Sequence, residues 1–263
     1  MSALSCTMSD SATMLRRQLR HMIRYPSLTV FLVGTPVIFL LLFVYVFGGT
    51  MGAGLGGVAG GRAAYLEYVV PGILLVTIAG GAQGTAISVA MDMTEGIIAR
   101  FRTMAISRAS ILVGHVVGSL VQTMICISVV LAVAVLIGFR PSAGPLDWIA
   151  AIGLLALTSF AVTWLSVAFG LVTKSVETAS NIPMFLMLLP FLGSGFVPTD
   201  SMPAGIRWFA EYQPFTPIIE TVRGLLMGTP IGDQGVIAVA WCVAVTLLAF
   251  LWAQRLYERN PGH

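Results

Sequence analysis

The sequence predicts an all-α membrane protein with six transmembrane helices, an amphipathic interfacial helix before the first span and short re-entrant helices between spans five and six. Hydrophobic residues make up 57% of the 263 residues and charged residues only 10%, whereas a soluble domain carries about 25% charge. The mean hydropathy is +0.92. So few charged groups could not cover a water-facing surface. Lipid is therefore the expected solvent for most of the chain.

Six apolar runs are long enough, or nearly long enough, to cross the hydrocarbon of a bilayer. The fifth is the shortest and contains Pro183 and Pro190. The predicted spans are residues 28–47, 68–91, 111–137, 148–172, 182–197 and 236–252. They lie in a transmembrane domain of residues 27–252, between an N-terminal part (1–26) and a polar tail (253–263).

The segment before the first span, residues 14–25, predicts a basic amphipathic helix at a membrane surface. At helical spacing its arginines share one face, and they are Arg16, Arg17, Arg20 and Arg24. The opposite face is apolar, with Leu15, Leu19, Met22 and Ile23. Pro26 interrupts the chain before it turns into the membrane.

The distribution of positive charge predicts the orientation. Six spans place both termini on one side. Ten basic residues lie on that side: Arg16, Arg17, Arg20, Arg24, Arg100, Arg102, Arg108, Lys174, Arg255 and Arg259. Four lie on the other: Arg62, Arg140, Arg207 and Arg223. The positive-inside rule then makes both termini cytoplasmic, and we expect a multi-pass protein of a bacterial plasma membrane.

The predicted spans are almost free of ionisable groups, apart from His115 near the start of the third and Glu67 at the edge of the second. Ion-coupled carriers normally place Asp, Glu or His within the bilayer, and a membrane enzyme needs clustered acids, bases or metal ligands. Thr173 precedes Lys174, the only lysine, so the Gly-Lys pair of a phosphate-binding loop is missing. We expect no catalysis, no bound cofactor or metal, and an external energy source.

Two glycine pairs at a spacing of four favour close helix packing. Gly80 and Gly84 lie in the second predicted span, and Gly114 and Gly118 lie in the third. Such pairs serve either packing within the chain or a face for dimerisation, and the sequence leaves both open.

The predicted loop of residues 92–110 mixes charged and apolar side chains. It is either a short helix that offers apolar knobs and charges to a cytosolic partner or a loop that anchors in lipid headgroups. After the fifth span, residues 198–234 contain aromatic residues and prolines in pieces too short to cross the membrane. This composition indicates short helices that are interfacial or re-entrant.

Several short motifs, in this order along the chain, resemble the ATP-binding-cassette type-two exporter permeases of the daunorubicin-resistance type. The first part of the resemblance is the basic N-terminal helix that leads into a span with a proline. The second is the loop motif, which here consists of Glu95, Gly96, Arg100, Phe101, Arg102, Ser107 and Arg108, followed by Ile111-Leu112-Val113-Gly114. Ala105-Ile106 replaces the proline that the family usually has before Ser-Arg.

The remaining motifs begin at the end of the fifth predicted span and continue through the 198–234 region. They are Gly195-Phe196-Val197-Pro198, then Pro214 and Pro217, and then Glu220 and Arg223 followed by Gly224. Glu220 and Arg223 are about one helical turn apart, so they can pair with each other or with a neighbouring chain. The resemblance covers nearly the whole chain.

The resemblance implies a permease subunit that forms the path for a hydrophobic drug-like or lipid-like substrate. It implies a separate ABC ATP-binding subunit that carries ATP and Mg, and a homodimer or a pairing with a similar permease; nucleic acid has no part. The N-terminal helix and the 92–110 loop would contact the ATPase, and the 198–234 region would cap the exit. The alternatives are a secondary carrier or channel that works without ATP, and a membrane-embedded enzyme or scaffold.

The loop motif generates a first prediction. Reversing the charges of Arg100 and Arg102 together should abolish ATP-driven transport, because both lie in the predicted contact with the ATPase. Membrane insertion should stay intact, which membrane fractionation measures alongside transport. Normal transport by the double variant, with normal ATPase binding, would contradict the assigned role.

Overall fold

The computed structural model describes residues 26–54, 61–94, 108–173 and 175–259, which are mostly helical and contain no strand. The helices are α1 (Pro26–Leu42), α2 (Gly48–Ala53), α3 (Arg62–Thr94), α4 (Arg108–Leu136), α5 (Pro145–Val172), α6 (Val176–Leu188), α7 (Ala204–Tyr212), α8 (Phe215–Met227) and α9 (Gln234–Arg259). A π-helix, Phe43–Phe47, joins α1 to α2, and a 3₁₀ turn, Thr199–Ser201, precedes α7.

In this described part, five helices are long and apolar enough to cross a membrane. They are Val30–Ala53, Arg62–Thr94, Val113–Leu136, Pro145–Val172 and Gln234–Leu256. Large apolar side chains on the outside of the helix bundle remain exposed, among them Phe31 on α1 and Leu248 on α9. A soluble monomer would rarely tolerate so much exposed apolar surface, whereas lipid accepts it. The all-helical, multi-span prediction is confirmed at this level.

The fifth predicted span differs most from its prediction. Its helix, α6, begins at Val176 rather than Ile182, where Ser175 caps it by accepting a hydrogen bond from the Thr178 amide at 3.2 Å. The helix ends at Leu188, and the chain continues to Val197 as a succession of turns. We call residues 189–197 the unwound segment. Residues 173–181, which were predicted as the loop between the fourth and fifth spans, are therefore mostly part of a helix.

Other predicted loops are also shorter than the sequence indicated. The glycine-rich stretch 48–64 supplies α2 at its start, and α3 begins at Arg62. The loop of residues 92–110 is shorter at both ends, because α3 continues to Thr94 and α4 begins at Arg108. Helix α5 begins at Pro145, before residue 148, where the fourth span was predicted to start. Proline is well suited to the first turn of a helix, because its missing N–H has no helical partner there.

Helix α3 is the centre of the structure. Most of its apolar stretch is buried, whereas α1, α4 and α9 expose most of theirs. It packs against α1, α4, α5, α6 and α8. Its first half holds many of the largest fully buried side chains of the main core, including Tyr65, Ile73, Leu74 and Leu75. The second half packs in a smaller cluster with Val116 of α4 and Trp164 of α5.

The unwound segment lies directly against α3. A Cβ atom on Gly72 would lie 2.5 Å from the carbonyl oxygen of Gly195 and 2.8 Å from its Cα atom. Both atoms belong to the backbone, so neither can move aside easily. Only glycine on α3 allows this close approach.

We therefore predict that Gly72→Ala destabilises the protein by about 1–3 kcal/mol, the usual cost of overpacking a core. Thermal unfolding in detergent measures the effect. Gly153→Ala is the matched control, because a Cβ on Gly153 of α5 meets nothing within 4 Å. Equal melting temperatures for the two variants would show that the contact is not tight.

Candidate functional site at the two ends of helix α3

Arg223 of α8 is the hub of a polar cluster at the first end of α3. Its Nη2 atom donates to the carbonyl oxygen of Ser194 at 2.7 Å. Nε and Nη2 both donate to the carbonyl oxygen of Tyr68, at 3.3 and 3.2 Å. Nη1 donates to Oε1 of Glu220 at 2.5 Å. The guanidinium thus joins α8, α3 and the unwound segment.

The ring of Tyr68 completes the surroundings of Arg223. The guanidinium carbon lies 3.8 Å from the centroid of that ring, which is a cation–π contact. The Arg223 side chain is only 14% exposed, so these contacts replace most of its hydration. Glu220 and Arg223 pair within the chain, which is one of the two arrangements that the sequence left open.

Two further side chains bind carbonyl groups of the α6 end and the unwound segment. The hydroxyl of Tyr65 donates to the carbonyl oxygen of Phe196 at 3.1 Å. The Nε2 atom of Gln213 donates to the carbonyl oxygen of Leu189 at 2.9 Å. Both side chains are buried. The sequence analysis missed these roles, since only the fold shows which carbonyl groups lack a helical partner.

The candidate prolines lie at the start of α8. Pro214 immediately precedes the helix, and Pro217 is buried in its first turn. The preceding helix, α7, exposes Trp208 and Tyr212. On α7, Arg207 bonds Glu211 and Asp200, both at 2.7 Å, and these carboxylates raise the pKa of Arg207 above its usual value. The predicted short helices of the 198–234 region are thus present.

At the second end of α3, the structure pairs two ionisable residues that the sequence analysis treated separately. The Nε2 atom of His115, on α4, lies 2.9 Å from Oδ2 of Asp92, on α3. Each side chain is about one-tenth exposed. The pair lies beside the segment that carries the loop motif. A separation of 23 positions gave no signal for the contact in the sequence.

Most residues of the loop motif lie outside the described residues, as do the basic residues of the N-terminal helix. The motif residues concerned are Glu95, Gly96, Arg100, Phe101, Arg102 and Ser107. The N-terminal ones are Arg16, Arg17 and Arg20. Arg108 is the first residue of α4. The contact of these residues with an ATPase therefore stays a prediction.

The glycine pairs have different surroundings. Gly84 is exposed, and a Cβ there would meet nothing within 4 Å. Gly80 faces Leu32 of α1 at ordinary contact distance, and Gly114 and Gly118 are buried. The glycine of α3 that most closely approaches α4 is Gly81, where a Cβ would collide with the hydroxyl of Thr123.

An apolar groove runs between α5 and α9 on the outer surface of the bundle. It has a volume of about 340 Å³ and is lined by Leu165, Val245, Leu248, Ala249 and Trp252. A smaller cavity of about 70 Å³ shares two of these residues, Leu165 and Val245, and extends towards Phe215. Hydrocarbon surface makes up nearly all of both linings.

Comparison with known proteins assigns the family. The model of the ABC-2 type transporter family matches residues 11–227, which is most of the chain. The chain belongs to the ABC-2 type transporter family. As an ABC-2 member it is a multi-pass membrane protein, and the recognition made from the motifs is confirmed.

Individual relatives share the drug-resistance theme in their names. The daunorubicin resistance ABC transporter permease protein DrrB1 of Streptomyces coeruleorubidus is 27% identical over 99% of this chain and 90% of its own length. The probable doxorubicin resistance ABC transporter permease protein DrrC of Mycobacterium tuberculosis is 24% identical over 75% of this chain and 72% of its own. These relatives are permease proteins of ABC transporters, and this ABC-2 chain is homologous to them.

The Arg223 cluster generates the prediction for this site. Arg223→Ala should lower the free energy of unfolding by about 2–3 kcal/mol, since each lost hydrogen bond to a charged group costs about 1.5–3 kcal/mol. Arg223→Lys should recover only part of this, because one ammonium cannot reproduce the planar fork that reaches three oxygens. Thermal unfolding in detergent measures both variants.

Arg207→Ala is the control, because its ion pairs are exposed and exposed pairs contribute little to stability. If Arg223→Ala were as stable as Arg207→Ala, the cluster would not hold the unwound segment.

Proposed function

We propose that this chain is the permease subunit of an ATP-driven ABC exporter, which forms the path for a hydrophobic drug-like or lipid-like substrate. The observation that carries the proposal is a match of the ABC-2 family over most of the chain together with homology to two drug-resistance permeases. A non-catalytic role agrees with the sequence, which has no phosphate-binding loop. ATP and Mg would bind to a separate ABC ATP-binding subunit.

The proposal includes six spans with both termini in the cytoplasm. Five long helices supply five of these spans, and the path of α6 and the unwound segment supports the remaining one, the fifth in chain order. The side chain of Gln83 on α3 donates to the carbonyl oxygen of Ser180 at 2.9 Å, whereas Ser194 lies at Arg223 beside Tyr68. Between Ser180 and Ser194 the chain therefore passes along α3 from Gln83 to Tyr68, which is about 22 Å at 1.5 Å per helical residue.

In this orientation the Arg223 cluster, α7 and α8 face the outside and cap the exit as interfacial or re-entrant helices. The exposed aromatic residues of α7, Trp208 and Tyr212, support a position at the membrane–water interface, where such side chains are enriched. The loop motif and the Asp92–His115 pair face the cytoplasm, where the N-terminal helix and the loop contact the ATPase. The assembly is a homodimer or a pair with a similar permease.

The names of the relatives support the substrate class. They refer to resistance to daunorubicin and doxorubicin, and the hydrocarbon-lined groove between α5 and α9 offers no charged group to a ligand. A secondary carrier is the second candidate, and a single observation favours it: Asp92 and His115 form an ionisable pair. The pair lies at the end of two spans rather than midway, where a proton relay would need it.

Co-purification tests the proposal. The chain is expressed with the ABC ATP-binding subunit encoded next to it, and the complex is reconstituted in liposomes that contain doxorubicin. The expected result is a stable complex whose drug efflux requires ATP and Mg. A variant of the ATP-binding subunit that cannot hydrolyse ATP is the control and should give no efflux.

One result of the same experiment would contradict the proposal. Transport by the permease alone that follows an imposed pH or sodium gradient, together with no complex with the ATP-binding subunit, would replace the exporter by a secondary carrier.

A further inference from the structure

The contacts between α3 and α4 form a polar seam that runs to the end of both helices. Gly81 packs against the hydroxyl of Thr123, and the hydroxyl groups of Thr85 and Ser119 are hydrogen-bonded. These contacts advance by one helical turn along α3 and retreat by one along α4, as expected for antiparallel helices. The seam ends at the Asp92–His115 pair, which we call the end pair.

The end pair occupies a special place in this seam. Asp92 lies two residues before the last residue of α3, Thr94, and His115 lies about two turns after the first residue of α4, Arg108. The chain between the two helices, residues 95–107, carries nearly all of the loop motif. A connection between the two side chains therefore closes the base of that loop.

The buried hydrogen bond of the end pair constrains the geometry of the two helices more than apolar packing does. The two side chains are 11% and 10% exposed. The same part of α3 and α4 also contributes Val89 and Val116 to the smaller apolar cluster, in which Trp164 and Ala168 of α5 take part. Apolar packing alone would allow α3 and α4 to slide or splay at their ends. A buried hydrogen bond between charged or polar partners has a preferred distance and angle, so it fixes the separation of the two helix ends.

We infer that Asp92 and His115 are positioning residues that hold the two ends of the coupling loop together, so that α3 and α4 move as one body when an ATPase displaces the loop. This inference rests on the proposed function. Without the end pair, the helix ends would separate under load, and the displacement would be absorbed at the loop. ATP hydrolysis would then continue with less transport.

The first test measures coupling in the reconstituted complex with its ATP-binding subunit. Asp92→Ala and His115→Ala should each lower the drug transported per ATP hydrolysed by about tenfold, an effect of the size expected for residues along a coupling route. The double variant should lose less coupling than the sum of the two single losses, because the two residues share a contact. ATP hydrolysis and co-purification should remain.

Two variants separate positioning from general stability. Asp92→Asn keeps an oxygen within reach of the His115 ring and should retain most of the coupling. Gly153→Ala adds a methyl group that meets nothing within 4 Å on α5 and should leave the ratio unchanged. The double variant Asp92→Ala/His115→Ala, which leaves neither member of the pair buried alone, and Gly153→Ala should also have melting temperatures within a few degrees of each other.

A cross-link tests whether the two helices move together. Thr85→Cys and Ser119→Cys, in a chain with Cys6→Ala, Cys126→Ala and Cys242→Ala, place two thiols where the hydroxyl groups now bond each other, within reach of a disulfide. After oxidation with copper phenanthroline, transport should continue. In the presence of Asp92→Ala, the same cross-link should restore part of the lost coupling.

The outcomes are distinguishable. If the wild-type complex couples ATP hydrolysis to transport and the end-pair variants couple equally well, this inference is wrong and the proposed function stands. The Thr85→Cys/Ser119→Cys cross-link in a chain that keeps Asp92 and His115 is a second check. Loss of transport on forming it would also overturn this inference, because α3 and α4 would then need to separate during transport. A wild-type chain that transports without any ATPase would overturn both.

Discussion

The structure depends on the need to satisfy backbone carbonyl groups that leave the helical hydrogen-bond pattern inside a bundle of membrane spans. Lipid cannot donate to them, so protein side chains must. After α6 ends at Leu188, three donors come from three different places: Arg223 of α8, Tyr65 of α3 and Gln213 before α8. This requirement ties α8 to α3, and Gly72 lets the unwound segment approach closely enough for the bonds to form.

Helix α3 connects the two polar regions of the molecule. It has 33 residues and is therefore about 50 Å long, which exceeds the hydrocarbon thickness of about 30 Å. Tyr68 and Asp92 are about 36 Å apart along it, so both can lie near the membrane surfaces, where charge is tolerated. The sequence between them contains no charged residue. No charged group between the two ends takes part in transmitting a displacement, and a continuous, mostly buried helix is well suited to transmit it through its backbone and its packing.

The sequence predicted the parts that depend on local pattern. Apolar length identified the helices, although the cap at Ser175 and the first-turn proline Pro145 moved their ends. The spacing of Glu220 and Arg223 made their pairing within the chain one of two possibilities. The contacts between distant residues could not be predicted. Nothing local indicates that Arg223 binds the carbonyl oxygens of Ser194 and Tyr68, since the Ser194 carbonyl becomes available only where the chain leaves α6, and Tyr68 lies on a different helix. Asp92 and His115 likewise belonged to different predicted elements, a loop and a span.

The two ends of α3 use polar groups for different physical tasks. At the Arg223 end, a charged side chain satisfies irregular backbone, so its removal leaves buried carbonyl groups without partners and should cost stability. At the Asp92 end, both helices are regular and their backbone is satisfied by the helix itself. The end pair is therefore not needed to complete the hydrogen bonding of the backbone. Apolar side chains in its place could pack equally well, but they would not fix the separation of the helix ends, and this difference makes the end pair a matter of coupling rather than of folding.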